Sequence, residues 1–146
     1  MKYNFDEAKI VSPIGVESSF PTFNLDNSLQ YGDYFNSEIT HLGRNLDYVK
    51  EIVGKLEAVL NEDLDFYEGF GFECYMIECD KLNAKVINVC ENKKTDAIIP
   101  TQEVYELMRD WRNYLIKYYN SKQKINTQGE IKKSTGNLSQ VLSSHL

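Results

Sequence analysis

The sequence predicts an α+β fold, an antiparallel sheet of four to five strands with two main helices packed on it. Three observations carry that expectation. Residues 45–60 and 102–119 repeat apolar side chains at spacings of three and four. Between them, "GFECYMIEC" and "AKVINVCE" read as two strands close enough to pair as a hairpin. The chain has 146 residues, 42% of them hydrophobic, which suits one domain with its own core.

At the start, "AKIVSPIGV" predicts a short strand that ends at a Pro-Gly turn. "FPTFNLDNS" alternates apolar and polar residues around Phe23 and Leu25 and predicts another. "QYGDYFNSEITHLG" is aromatic and turn-rich and gives no regular element. The first helix is expected from about Asn45 to Leu60, with Leu46, Val49, Val53, Leu56 and Leu60 as its apolar stripe and Asn45 as its N-cap. Gly54 costs that helix about 1 kcal/mol against Ala. It is either a point of close approach or a tolerated surface residue.

In "GFECYMIEC", Phe72, Cys74 and Met76 fall on one face and Tyr75, Ile77 and Cys79 on the other. A strand apolar on both faces is expected at the centre of a sheet, covered on both sides. The second helix is expected from about Gln102 to Tyr119, with Thr101 as its cap. Val104, Leu107, Met108, Trp111, Leu115 and Tyr118 form its stripe, and Trp111 is its core anchor. From Asn120 the composition turns polar and basic. Residues 1–119 are therefore expected to form the domain and 120–146 a mobile tail.

The net charge of -6 is unevenly spread. Residues 1–80 hold 16 acids and 5 bases, a balance of -11, whereas residues 81–146 hold 6 acids and 11 bases, a balance of +5. An acidic half suits a basic partner and disfavours direct contact with nucleic acid, whose phosphates it would repel. No run approaches the ~20 apolar residues of a membrane span, and Met1–Ile10 is charged where a signal peptide needs an apolar stretch. Cys74, Cys79 and Cys90 are odd in number and form no CxxC. They are expected to be buried free thiols in a reducing cytoplasm. GxSxG, GxGxxG and GxxxxGK[ST] are absent, and no cofactor is expected.

The densest chemistry lies in "NEDLDFYEGFGFECYMIECD", residues 61–80, with seven carboxylates and no Lys or Arg. A calcium loop fails here, because Gly69 as its central glycine puts Leu64 and Phe66 at ligand positions. A looser magnesium site from Asp63, Asp65 and Glu68 stays open. His41 is the candidate catalytic imidazole, expected just ahead of a helix. Glycosidase chemistry by paired carboxylates needs a deep sugar cleft that a domain of this size rarely offers. Docking fits better. Acids steer a cationic partner, and tyrosines supply contact area at low entropic cost. "YGDYF" has the same character. The expected contact set is Tyr31, Asp33, Tyr34, Glu62, Asp63, Asp65, Tyr67, Glu68 and Glu73, with no catalytic or metal-binding residue.

"HLGRNLDYVKEIVGKLEAVL" and "IPTQEVYELMRDWRNYL", within roughly residues 41–118, carry a resemblance. In the order helix, acidic link, hairpin, helix, the chain resembles the small immunity proteins of bacterial polymorphic-toxin and contact-dependent inhibition systems. The resemblance implies an inhibitor without catalytic residues that binds a cognate toxin, often a nuclease, in the cytoplasm. A nuclease must attract phosphate, so its cleft tends to be basic, and an acidic inhibitor would match it. Two other readings stay open. One is a small metal-dependent enzyme built on the acidic 62–73 segment. The other is an adaptor or regulatory subunit that works through the basic helix and tail.

Overall fold

The computed structural model describes the backbone of residues 1–145 and the side chains of residues 1–123. It is an α+β fold with six strands in two antiparallel sheets. Strands β1 (Tyr3–Val11) and β2 (Glu17–Leu25) form a hairpin, with Tyr3 opposite Leu25 and Val11 opposite Glu17. At its tip the Gly15 amide donates to the Ser12 carbonyl and Gly15 takes a φ of +82°, a left-handed backbone that glycine adopts freely. Phe23 and Leu25 are buried, while Ile10, Val11, Ile14 and Val16 around the tip are exposed.

A 3-10 turn, Ser28–Tyr31, leads into α1 (Phe35–Leu42). This helix lies where no regular element is expected from the sequence. Its eight residues make about two turns, too few for a periodic signal among the surrounding aromatic and turn residues. It is tied to the hairpin by side chains. Thr40 Oγ1 accepts the Phe23 amide at 3.1 Å and donates to the Phe23 carbonyl at 3.2 Å, and Asn36 Oδ1 accepts the Leu25 amide at 3.1 Å.

Helix α2 (Leu46–Leu60) matches its expected span, and the Asn45 side chain caps it by accepting the Tyr48 amide. Val49, Ile52, Val53, Leu56 and Val59 are its buried stripe. Gly54 faces open space, so it is the tolerated surface glycine. Next comes a four-stranded sheet in the order β3 (Tyr67–Phe70), β4 (Tyr75–Cys79), β5 (Asn83–Asn88), β6 (Lys94–Pro100). The expected hairpin is β4–β5, pairing Tyr75 with Asn88 and Cys79 with Ala84. Its turn is held by the Asp80 carboxylate, which accepts the Leu82 and Asn83 amides at 2.9 and 2.7 Å. Strand β4 is central but not sealed on both faces. Tyr75, Ile77 and Cys79 are buried, whereas Met76 and Glu78 are half-buried.

Helix α3 spans Thr101–His145 and so runs past Tyr119, where the sequence reading ended it. Thr101 is fully buried at its start, and its hydroxyl donates to the Asp80 carbonyl at 2.7 Å, which pins the helix to the β4–β5 turn. The chain divides into two compact units, Met1–Leu115 and Ile116–Leu146. Within the second, Tyr118 meets Tyr119 edge-on and carries the Lys122 ammonium over its ring. Residues 120–145, expected as a mobile tail, continue the backbone of α3, and their side chains beyond residue 123 lie outside the described residues.

Trp111 anchors the core of the first unit. It is 0% exposed, and its Nε1–H donates to the Ile39 carbonyl at 3.0 Å. Its indole stacks on Phe5 and Tyr114 and lies so close to Gly43 that a Cβ there would collide with it. One side chain thus joins the hairpin, α1 and α3, satisfying a buried donor as it packs.

Candidate functional site: an acidic and aromatic surface around Tyr75

Strand β4 begins at Tyr75, and three elements converge on that side chain. The Tyr75 hydroxyl donates to Asp96 Oδ2 on β6 at 3.0 Å and accepts the Tyr34 amide at 3.2 Å. Tyr34 also sets its ring edge-on to Tyr75 with centroids 6.2 Å apart. Burial is the main force pushing the Tyr75 hydroxyl up to about 12, and the bond to Asp96 adds to it. The phenol therefore stays a neutral donor at physiological pH. Asp96 is only 10% exposed and also accepts from the Asn88 amide group at 3.4 Å, with the Lys94 ammonium 4.0 Å from its other oxygen.

Two hollows flank this tyrosine. One, of about 170 Å³, is lined by Leu29, Gly32, Asp33, Asn88, Glu91, Lys94 and Asp96. It is polar, with three carboxylates and one ammonium on its walls. The other is an open groove of about 350 Å³ lined by Tyr48, Gly69, Phe70, Gly71, Phe72, Glu73, Tyr75, Met76 and Val89. It is mainly aromatic and aliphatic with a single carboxylate. A Cβ at Gly32 would strike the Tyr75 hydroxyl and Asp96, and Gly32 has a φ of +114°. Glycine is required there for both reasons.

The loops between the hollows are clipped together by a disulfide between Cys74 and Cys90, with Cα atoms 5.2 Å apart. This corrects the expectation of three free thiols. Register explains the bond. Tyr75 faces Asn88, and one step further out the Val89 amide donates to the Cys74 carbonyl at 2.9 Å, so Cys90 lies within reach. The expected hairpin implies this register, whereas an odd cysteine count argues only against a disulfide framework and leaves a single pair possible. Support for a reducing compartment falls with it, since cystines persist mainly in oxidising ones. Cys79 is free and buried, and burial pushes its thiol up to about 12, which keeps it protonated.

Behind the disulfide sits Glu38 of α1, 6% exposed. Its Oε1 accepts the Cys74 amide at 3.0 Å, while its Oε2 is buried without a hydrogen-bond partner. Burial raises its carboxyl above the usual range, against the lowering effect of the Cys74 and Phe72 amides. His41 lies within α1, not ahead of a helix. Its ring stacks on Phe72 with centroids 4.9 Å apart, and its Nδ1 is buried without a partner. Among the described residues, its orientation comes from that stacking and not from a hydrogen bond to Nδ1. Among the described residues, no three His, Cys, Asp or Glu side chains come together in a group that could hold a metal ion.

The expected contact residues fall into two places. Asp33 lines the polar hollow, Tyr34 touches Tyr75, and Glu73 lines the groove. Tyr31 stands beside them, tilted on Phe35 with centroids 5.4 Å apart. The others lie toward the opposite end of the sheet. Tyr67 pairs with Cys79 and is half-buried, and burial raises its hydroxyl well above the usual phenol range. Glu62 is bound to Lys81 at 2.6 Å, and that ammonium holds its carboxyl below the usual range. Asp63, Asp65 and Glu68 are exposed.

No family model, curated protein or solved structure matches this chain. The surface must therefore be read from its own residues. Asp96, Glu91, Asn88 and Tyr75 itself were missed in the sequence. In the sequence Tyr75 reads as an apolar strand residue, and the two acids lie in the half whose balance is basic. "KTDAIIP", the β6 strand that carries Asp96, was the available signal.

Proposed function

We propose that the chain is a non-enzymatic, immunity-type inhibitor that binds and blocks a basic toxin, most simply a nuclease. The observation that carries this reading is the surface around Tyr75. Asp33, Glu73 and Glu91 present exposed carboxylates beside the Tyr34 and Phe72 rings. Among the described residues, Lys94 is the single cation on the walls of the two hollows, and it leans on Asp96. Such a surface attracts a cationic protein and supplies rigid aromatic anchors within one contact area. Asp63, Asp65 and Glu68 would extend the field that steers the partner, without lying in the same contact. Blocking an incoming toxin places the encounter in the cytoplasm, where thiols would test the Cys74–Cys90 bond.

The test is a pull-down of the tagged full chain from its native cells at low salt. A stoichiometric basic protein is expected, released by salt and toxic when expressed without this chain. Recovery of no such protein, or of one whose toxicity the chain does not relieve, would overturn the reading.

A further inference from the structure

We propose that the groove beside Tyr75 receives an arginine side chain of the partner, its guanidinium paired with Glu73 and its plane laid against Phe72. The source of the arginine rests on the proposed function. The fit itself rests on the groove.

Buried Phe70 and Tyr75 contribute to the lining, and Phe72 and Val89, each 40% exposed, border it. One part of the Phe72 ring is covered by His41, with centroids 4.9 Å apart, so the phenyl is held in place. Among the described residues, Glu73 is the only charged one lining the groove. Among the described residues it forms no ion pair, and it lies near enough to the buried Glu38 carboxyl to raise that group. The local charge is negative and uncompensated. An anion would be repelled, and a purely apolar side chain would leave Glu73 unmatched in a contact that excludes water. A cation over an aromatic face with a carboxylate at its edge satisfies both surfaces. Arginine suits this better than lysine, because its guanidinium is planar, weakly hydrated and able to stack while it pairs.

The test is a titration of the isotope-labelled full chain with a blocked Gly-Arg-Gly peptide, followed by backbone amide NMR. The control peptide carries citrulline, which keeps the shape and loses the charge. Saturable shifts are expected at the Gly69, Gly71 and Val89 amides. Citrulline should bind at least about fivefold more weakly, and Glu73→Gln should weaken the arginine peptide by about the same factor. The Glu73→Gln spectrum should otherwise superpose on that of the parent, which separates loss of binding from loss of fold. Equal binding of both peptides, no effect of Glu73→Gln, or shifts confined to Asp33 and Glu91 would overturn the assignment. The two readings fail separately. If a basic toxin is captured and Glu73→Gln leaves its affinity unchanged, the groove assignment falls and the inhibitor reading stands. If the arginine peptide binds as expected and no toxin is found, the reverse holds.

Discussion

The Tyr75 hydroxyl donates to Asp96 at 3.0 Å while it accepts the Tyr34 amide at 3.2 Å. One oxygen thus joins β4, β6 and the segment that enters α1. Removing it in Tyr75→Phe leaves a buried carboxylate short of a donor and a backbone amide short of an acceptor. An unsatisfied buried group costs about 1–3 kcal/mol, so a loss of about 2 kcal/mol is expected in urea unfolding. A smaller loss would mean that water replaces the phenol and that the polar hollow reaches deeper than its lining residues indicate.

The Cys74–Cys90 bond joins residues 16 apart in sequence. Closing a loop of that length is worth up to about 3 kcal/mol through the unfolded chain. Cys90 is exposed, so a dithiol can reach the bond, and exposed disulfides are the labile ones. Unfolding midpoints should fall when the protein is reduced. A Cys74→Ser, Cys90→Ser double variant should match the reduced protein and ignore further reductant. A midpoint that does not move with reductant would show that the two thiols are not bonded in solution.

Helix α2, the first part of α3 and the β4–β5 hairpin are legible because their signals are local, whereas α1 is too short to give one. Val49, Val53, Leu56 and the Trp111 anchor follow from spacing, and Asn45 caps where its side chain suggests, but Leu46 and Leu60 of the expected stripe are only half-buried and Ile52 and Val59 take their place. The site was legible in composition but not in arrangement. "YGDYF" and Glu73 come together in space, because both flank Tyr75 once α1 places residue 34 against β4. Glu62 was grouped with them by closeness in sequence, yet the sheet carries it toward Lys81. The missing step was β3. It is four residues long, contains an irregular register and Gly69 at a φ of +138°, and so gives no period-two pattern. The pairing of Cys74 with Cys90 is non-local and depends on hairpin register, which a cysteine count does not supply.

Glu38 gives the fold a pH dependence with a definite sign. Burial raises its carboxyl in the folded state above the ordinary glutamate value. The folded protein therefore binds this proton more tightly than the unfolded chain. The stability it contributes is fully present below the unfolded value and is lost as pH rises through the higher folded value. Stability should decline from about pH 4.5 upward until Glu38 is ionised in the fold. Glu38→Gln should flatten that decline in urea titrations at a series of pH values. Glu38→Ala should instead destabilise at every pH, because the Cys74 amide loses its acceptor. An unchanged pH slope in Glu38→Gln would assign the dependence to another group.

The two acidic places should differ in what they do to a basic partner. Strand β4 has five residues, and at about 3.3 Å each it sets its ends about 13 Å apart. That exceeds the Debye length of about 8 Å at physiological salt, so the groups near Tyr75 and those near Lys81 are screened from one another. Near Tyr75, Asp33 and Glu73 line hollows and would be desolvated by a docked side chain. Asp63 and Asp65 are exposed in the link before β3 and line neither hollow. Charges of the first kind govern dissociation, and rim charges mainly govern association. Asp33→Lys with Glu73→Lys should therefore speed dissociation of the captured partner and weaken it by at least about 2 kcal/mol, largely independent of salt. Asp63→Lys with Asp65→Lys should slow association at low salt and leave dissociation unchanged, with the difference gone by about 0.5 M salt. Surface-binding kinetics of the two double variants against one partner, at three salt concentrations, measure this directly. If the pair at 63 and 65 controls dissociation instead, the partner docks at the Lys81 end of the sheet and the Tyr75 surface is not the contact.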